Sequence, residues 1–341
     1  FALSFLHKTQ MKLFVYEHIT SGALADQELP NGITREGDAM LQAILQDLAE
    51  QPQLELIILR DSRLDEIASL ALNTACEFLW VQDIEQFQTH WNTAIRHSDT
   101  ALLIAPETER QLTNIQQSVL DQGKSYLGSS QQATELCSNK LRCFQFLNKH
   151  NLATVHTQIA SQWQLGNLDY SDGIVIKPID GAGCVDTAFF KTTTEAKQYL
   201  NKIPSASQAS LVIQPYIKGQ AASLSLFISD NVVHVLSINS QQIQHHNSRL
   251  VFQGTEVNAI PAKELSLNAA QSLAENIHRL IPELWGFVGV DLIITPSGPI
   301  VIEINPRLTS SYIELTSTLK INPTNLLMQY LSEKKSTRFI S

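Results

Sequence analysis

Three oxygen-bearing side chains and a guanidinium crowd one stretch of this 341-residue chain: Asp291, Glu303, Asn305 and Arg307, in VGVDLIITPSGPIVIEINPRLTSSY. Val288 to Ile294 and Pro299 to Ile304 are apolar, β-branched runs, and Thr295 to Gly298 supply turn residues between them. A three-residue loop, Pro296 to Gly298, sets Thr295 opposite Pro299 and therefore Asp291 opposite Glu303. Alternation along the strand then gives Asn305 the face of Glu303 and turns Ile302 and Ile304 into the core. Two carboxylates and an amide suit Mg2+, a hard cation that takes oxygen ligands and shares its shell with phosphates. Arg307, just past the strand, offers a planar fork to a transferring phosphoryl group or a substrate carboxylate. The competing reading is an ordinary hairpin whose acids face water.

A second chemical stretch is KPIDGAGC, where the strand 173–177 ends on Lys177 and a new one begins at 185. Gly181, Ala182 and Gly183 let backbone amides approach an anion whose charge Lys177 offsets, although a glycine-rich hairpin alone is a weak signal. Cys184 at its edge reads as packing. Upstream, Gln131 to His150 reads as a single helix carrying Lys140 away from a stripe of Leu141, Phe144 and Leu147. Downstream, Gln214, Pro215, Tyr216 and Ile217 lie in a strand and linker ending at Gly219, extended backbone that could bond a purine edge.

The elements that must hold these residues fall into two styles. From Lys12 to Ala105 the pattern alternates strand and helix: a strand at 12–16, a helix N-capped at Thr34, a strand at 54–59, a helix near 84–97 and a strand at 101–105. A helix near 109–121 follows. Such alternation implies a parallel α/β sheet, whose sites lie at strand carboxyl ends, here Glu17 to Gly22 and Pro106 with Glu107. Neither loop carries a dinucleotide-binding glycine pattern. After Ser130 come strands near 211–219, 222–228 and 232–238, the last two joined by a turn at Ser229, Asp230 and Asn231, then a helix at 265–281, the hairpin, and a closing helix near 325–331.

With 43% hydrophobic residues the chain can bury two or three sub-cores. A formal charge of −9, without a basic stripe, speaks against nucleic acid. No apolar run approaches the length of a membrane span. Cys76, Cys137, Cys143 and Cys184 lack metal-ligand spacing, so buried reduced thiols and a cytoplasmic location are expected. Met11 reads as a natural start, with 1–10 as an extension in which Phe1, Leu3 and Phe5 could pack.

Taken in order, Lys140, Lys177 with its glycine loop, Gln214 to Gly219, and Asp291, Glu303, Asn305 and Arg307 resemble the ATP-grasp superfamily from about Gly128 onward. The resemblance implies a pre-ATP-grasp α/β domain (11–130), a small lobe with the glycine loop (131–216) and a large lobe with the metal site (217–341). It also implies ATP phosphates on Lys140 and Lys177 under the Gly181 to Gly183 loop, adenine along 214–217, and one or two Mg2+, or Mn2+, on Asp291, Glu303 and Asn305. Arg307 would steady an acyl phosphate. The acid that many members place after the linker glycine to hold ribose is absent, since Gln220, Ala221 and Ala222 follow Gly219.

LFVYEHITSG, LRDSRL, LLIAPET, LGSS and EINPRLTSSY further resemble the tyramine–glutamate ligase family of methanofuran biosynthesis, which has bacterial relatives making a related one-carbon carrier. This resemblance implies amide formation between L-glutamate and tyramine or tyrosine, small-molecule substrates, with Glu17, Thr20, Ser21, Thr309, Ser310, Ser311 and Tyr312 as pocket candidates. A D-alanine-type or other peptide ligase, a non-catalytic nucleotide-binding module and a homodimer stay open.

Overall fold

The computed structural model describes residues 10–67, 70, 76–164, 166, 168–181, 183–230 and 232–337. The extension 1–9, Ala182 of the glycine loop and Asn231 of the expected turn lie outside the described residues. The chain packs as two compact units.

One unit holds the described residues of Phe1–Ala105, Asn114–Leu127 and Tyr312–Ser341, so the closing segment expected in the large lobe packs here. Its strands are β1 (Met11–Glu17), β2 (Leu54–Asp61), β3 (Cys76–Val81), β4 (Thr100–Ile104) and β5 (Ser125–Leu127), all parallel in the order β3-β2-β1-β4-β5. The order reverses beside β1, so the loop after Glu17 leaves at the switch point where such sheets place ligands. The helices are α1 (Asn31–Ala49), α2 (Ile84–His97) and α3 (Gln111–Asp121), whose first residues belong to the other unit. Met40, Leu41, Ile44, Leu45 and Leu48 recur at helical spacing and are the buried stripe of α1. Thr34 is not its N-cap: the helix starts three residues earlier, and the Thr34 hydroxyl donates back to Pro30 O (3.0 Å) inside the first turn. Before α3 the chain makes a 3-10 turn at Thr108–Arg110 with Glu109 left-handed, which ends the helix expected from 109 short of that residue.

The second unit comprises Pro106–Thr113 and Gly128–Ser311. Instead of one helix over 131–150 there are two, α4 (Gln131–Ser138) and α5 (Lys140–Lys149). Asn139 breaks the run because it adopts extended backbone and caps α5, its Oδ1 accepting from Arg142 N at 2.9 Å. Then follow β6 (Gln158–Ile159), β7 (Ile174–Pro178), β8 (Ala188–Phe190), α6 (Thr193–Leu200), α7 (Ser205–Gln208), β9 (Leu211–Pro215), β10 (Gln220–Ser229), β11 (Val232–His246), β12 (Arg249–Glu256), α8 (Leu267–Leu280), β13 (Gly286–Thr295) and β14 (Gly298–Asn305). In the closing segment, α9 (Leu315–Leu319) and α10 (Thr324–Thr337) return to the first unit.

β6 to β14 form one antiparallel sheet, ordered β14-β13-β10-β11-β12-β8-β7-β9-β6. The restart at 185 is shorter than expected, because 184–187 is spent on a turn in which Cys184 and Asp186 are left-handed. One face of β10, β13 and β14 carries Leu224, Leu226, Val288, Val290, Leu292, Val301 and Ile304 against Ala270, Ala274 and Ile277 of α8. Each such large side chain removed from water contributes about 1.5–3 kcal/mol. Cys137 and Cys143 are buried in this core as free thiols, whereas Cys76 and Cys184 are only partly covered.

The hairpin turn is tighter than the sequence suggested. Thr295 pairs with Gly298, leaving two residues in the loop, and a bulge between Asp291 and Leu292 absorbs the difference. Asp291 therefore still faces Glu303, while Ile302 is the extra residue and is half-buried rather than in the core; Val301 takes its place there.

Candidate active site

The face of the sheet opposite the α8 core is polar. Across it run two rows set by strand pairing: Asn239, Ser223, Asp291 and Glu303, and beside them Ser237, Ser225, Gly289 and Asn305. Period-2 alternation explains the placement, since Ser223 and Ser225 interleave with Ala222, Leu224 and Leu226 of the core.

Asp291 accepts from Asn305 Nδ2 (3.1 Å) and from Gln241 Nε2 (2.8 Å). Burial, then the neighbouring Glu303 carboxylate, pushes the Asp291 carboxyl up to about 6. Glu303 in turn meets Lys140 Nζ at 3.2 Å from its Oε1. Lys140 opens α5, is buried, and is tied to the glycine loop twice: its backbone N donates to Ile179 O (2.9 Å) and its ammonium donates to Gly181 O. Lys177 is fully enclosed on β7; burial lowers its pKa first, the Glu303 charge opposes that, and the Lys140 charge adds to it. The structure thus brings Lys140, Lys177, Gly181, Asp291, Glu303 and Asn305 into one electrostatic cluster. Gly183 turns left-handed (φ +63°) in the same loop, and burial raises the Cys184 thiol to about 11.

Among the described residues no three His, Cys, Asp or Glu side chains gather as a metal cluster. The donor set is instead two carboxylates and an amide, which fits an oxygen-seeking cation that completes its shell with water and phosphate. Such a cation opposes both causes of the raised Asp291 pKa, first burial and then the nearby Glu303 charge, because it favours the ionised carboxylate.

Arg307 follows β14 and is held by Glu107, with Nη2 to Oε2 at 2.9 Å and Nε to Oε1 at 2.9 Å, while Nη1 donates to Leu308 O (3.2 Å). Two residues on, Glu109 N donates to Asp180 Oδ2 (2.8 Å) of the glycine loop. The Pro106–Thr113 segment thereby fixes both Arg307 and the base of that loop.

In the expected purine stretch, Gln214 is buried with its Nε2 donating to Thr157 Oγ1 (2.9 Å), and Tyr216 N donates to Gly173 O (2.9 Å). Pro215 ends β9, Tyr216 and Ile217 lie in the linker, and the Tyr216 ring meets Phe189 and His245 edge-on. Thr309 and Ser311 join the polar face: Thr309 Oγ1 and Ser311 Oγ are 2.9 Å apart, and Ser311 Oγ lies 2.8 Å from Ser225 Oγ. Ser310 between them is half-buried.

The other pocket candidates belong to the first unit and make bonds within it. Glu17 Oε2 accepts from Thr20 N (2.8 Å) and Oγ1 (2.7 Å), and Gly37 leaves no room for a Cβ above the carboxylate. Ser21 Oγ donates to His18 O (3.0 Å). Tyr312 donates its hydroxyl to Asp47 Oδ2 (2.6 Å).

Gln241 escaped the sequence reading. The strand expected over 232–238 continues as β11 to His246, and Asn239 and Gln241 keep its alternation. Strands β3, β5, β6 and β12 were likewise not foreseen.

Residues 137–311 match the model of the ATP-grasp domain, and residues 54–134 match that of the pre-ATP-grasp 3 domain. The chain is 26% identical over 304 residues to the tyramine–L-glutamate ligase of Methanocaldococcus jannaschii, covering 88% of this chain and 83% of that protein. It is 25% identical to the same-named protein of Methanocaldococcus fervens, covering 88% and 87%. Its fold is similar to D-alanine–D-alanine ligase from Bacillus anthracis, with a TM-score of 0.62, 15% identity and coverage of 96% and 98%.

Proposed function

We propose, for a chain that belongs to the ATP-grasp family and is an ATP-dependent carboxylate–amine ligase, that it joins a carboxylate of L-glutamate to the amine of tyramine or tyrosine. The observation that carries the ligase chemistry is the facing pair Asp291 and Glu303, backed by Lys140 and Lys177. The substrate assignment rests on similarity to the two methanogen ligases. On this proposal the product goes into making a methanofuran-type carrier.

Asp291, Glu303 and Asn305 would hold a divalent cation, which when bound would supply neutralisation of phosphate charge. The chain's own residues do the rest. Lys140 and Lys177 neutralise phosphate oxygens, and Lys140 carries the glycine loop with it, because ammonium and loop carbonyl are bonded. The backbone of 214–217 holds the purine, and Arg307, kept on Glu107, steadies the phosphoryl group as it passes to the substrate carboxylate. A substrate carboxylate oxygen bonds to Pγ as the bond from Pγ to the bridging oxygen breaks and ADP leaves; the neutral amine then bonds to the acyl carbon, and phosphate departs with release of one amine proton. Thr309, Ser310 and Ser311 offer hydroxyls to the amino-acid substrate from the polar face.

The test is Mg2+-dependent ADP release with ATP and L-glutamate, comparing tyramine, tyrosine, D-alanine and no amine, with products identified by mass. A glutamyl amide of tyramine or tyrosine, lost in Glu303→Gln while nucleotide binding persists, supports the proposal. ADP release with D-alanine alone would replace the substrates. No release above the Glu303→Gln background would remove the substrate assignment.

A further inference from the structure

We propose that Gln241 is the positioning residue of the metal carboxylate: it holds Asp291 Oδ1, so that Oδ2 is the oxygen presented to a divalent cation, and Asn305 turns its amide over when the cation arrives. This rests on the reading of Asp291, Glu303 and Asn305 as metal ligands. Both oxygens of Asp291 are met by amide N–H groups, Oδ1 by Gln241 and Oδ2 by Asn305. An ionised carboxylate only accepts, so an amide donor on each oxygen satisfies it without a cation.

The two amides are not equivalent. Asn305 stands on β14 with Glu303, on the side where two carboxylates converge. Gln241 reaches Asp291 from β11, beyond the intervening strand β10. A cation between Asp291 and Glu303 therefore displaces the Asn305 donor and leaves the Gln241 donor in place. Asn305 answers by rotating its terminal torsion, a broad two-fold coordinate, to offer Oδ1 as a ligand. Gln241 has no such task, and its hydrogen bond keeps the carboxylate plane fixed.

Between Gln242 and Ile243 the β11–β12 pairing slips by a bulge whose extra residue is Gln253 of β12, with Gln242 opposite Gly254 and Ile243 opposite Phe252. Gly254 takes φ +144°, which a side chain would oppose. Bulges sharpen the local twist next to functional sites, and this one lies just beyond the regular pair of Gln241 and Thr255. Partners of this kind around metal ligands typically alter metal affinity by about 10–100-fold when removed.

The experiment measures Mn2+ binding directly, by the free-ion electron paramagnetic resonance signal, in the presence of ADP and without turnover. Wild type, Gln241→Leu, Gln241→Ala and Asp291→Asn are compared, with melting temperatures taken without metal. Leucine keeps the volume and removes the donor, and alanine removes both, so agreement between them separates the lost hydrogen bond from a packing defect. The expected result is Mn2+ binding by wild type, about 10–100-fold weaker binding in both Gln241 variants at nearly unchanged melting temperature, and loss in Asp291→Asn. Wild-type affinity in Gln241→Leu would overturn the positioning role and leave the metal reading intact. No Mn2+ bound by wild type would overturn the metal reading, and this inference with it.

Discussion

Glu107 grips Arg307 along one edge of the guanidinium, with two nitrogen–oxygen approaches of 2.9 Å, both side chains largely shielded from water. The glutamate comes from the end of a strand in one unit's sequence and packs in the other, so a short excursion of chain fixes the cation expected to meet the phosphoryl group. Removing one member of a buried pair leaves an uncompensated charge, at roughly 3–5 kcal/mol. Glu107→Ala should therefore lower the melting temperature and reduce kcat by on the order of 100-fold, the scale of losing one oriented charge donor. Glu107→Gln, keeping one acceptor, should fall between. Calorimetry and steady-state ADP release check this; wild-type values for both in Glu107→Ala would show that Arg307 needs no such seat.

Gly289 lies on β13 two residues before Asp291 and faces the hydroxyl-rich loop. A Cβ there would meet Thr309 Cγ2 at 2.6 Å, and Thr309 is held to Ser311 at 2.9 Å. Threonine is stiff at χ1, so Gly289→Ala should shift the 309–311 segment at roughly 1–3 kcal/mol and raise the KM of the amino-acid substrate more than that of ATP. Thr309→Ser removes the offending methyl group, and the double variant should recover most of the loss. Equal damage in single and double variants would place the strain elsewhere.

His18 makes the first unit acid-sensitive. It lies nearly buried at the switch point, 2.8 Å from the Tyr16 hydroxyl through Nδ1, and burial lowers its pKa from 6.5 to about 4. Between those values the unfolded chain takes a proton that the folded chain refuses, so stability is complete above pH 6.5 and is lost as pH falls toward 4, on the order of 3 kcal/mol in all. His18→Gln should flatten that part of the melting-temperature profile. An unchanged slope between pH 7 and pH 4.5 would assign the acid sensitivity to other groups.

What the sequence disclosed followed from strong periodicity and from spacing. The facing of Asp291 and Glu303 was legible, but by a compensation: the turn is one residue shorter than expected, and the bulge at Ile302 restores the pairing. A turn and a bulge together are invisible to alternation, which counts residues and not hydrogen bonds. Asn139 shows the same limit in a helix, because apolar spacing ran straight through a break that depends on one capping amide. Strand β12 was missed because RLVFQGTE contains a bulge partner, Gly254, that reads as a turn. Gln241 depends on a strand two places away in the sheet and the Glu107 clamp on a residue 200 positions away, which no local pattern contains.

Tyr312 illustrates how geometry recasts a residue picked from its neighbourhood. Its hydroxyl donates to the buried Asp47 at 2.6 Å, and Thr316 donates to the same oxygen at 2.6 Å. Burial raises the Asp47 carboxyl, and the hydrogen bonds from Thr316 and Tyr312 oppose that rise. Asn322 and Thr324 meanwhile bond to the Asp47 carbonyl at 2.8 and 3.2 Å, so this one helical residue anchors the closing segment of the chain. A hydrogen bond to a charged acceptor contributes about 1.5–3 kcal/mol. Tyr312→Phe should lose roughly that much stability while leaving the KM of tyramine or tyrosine within about twofold, since the ring still fills its site and only the anchor is cut. Asp47→Asn should give a smaller loss, because the amide oxygen still accepts from both hydroxyls. Melting curves and amine-dependent ADP release separate the two roles: a tenfold rise in amine KM at wild-type stability would return Tyr312 to the pocket and remove it from the anchor.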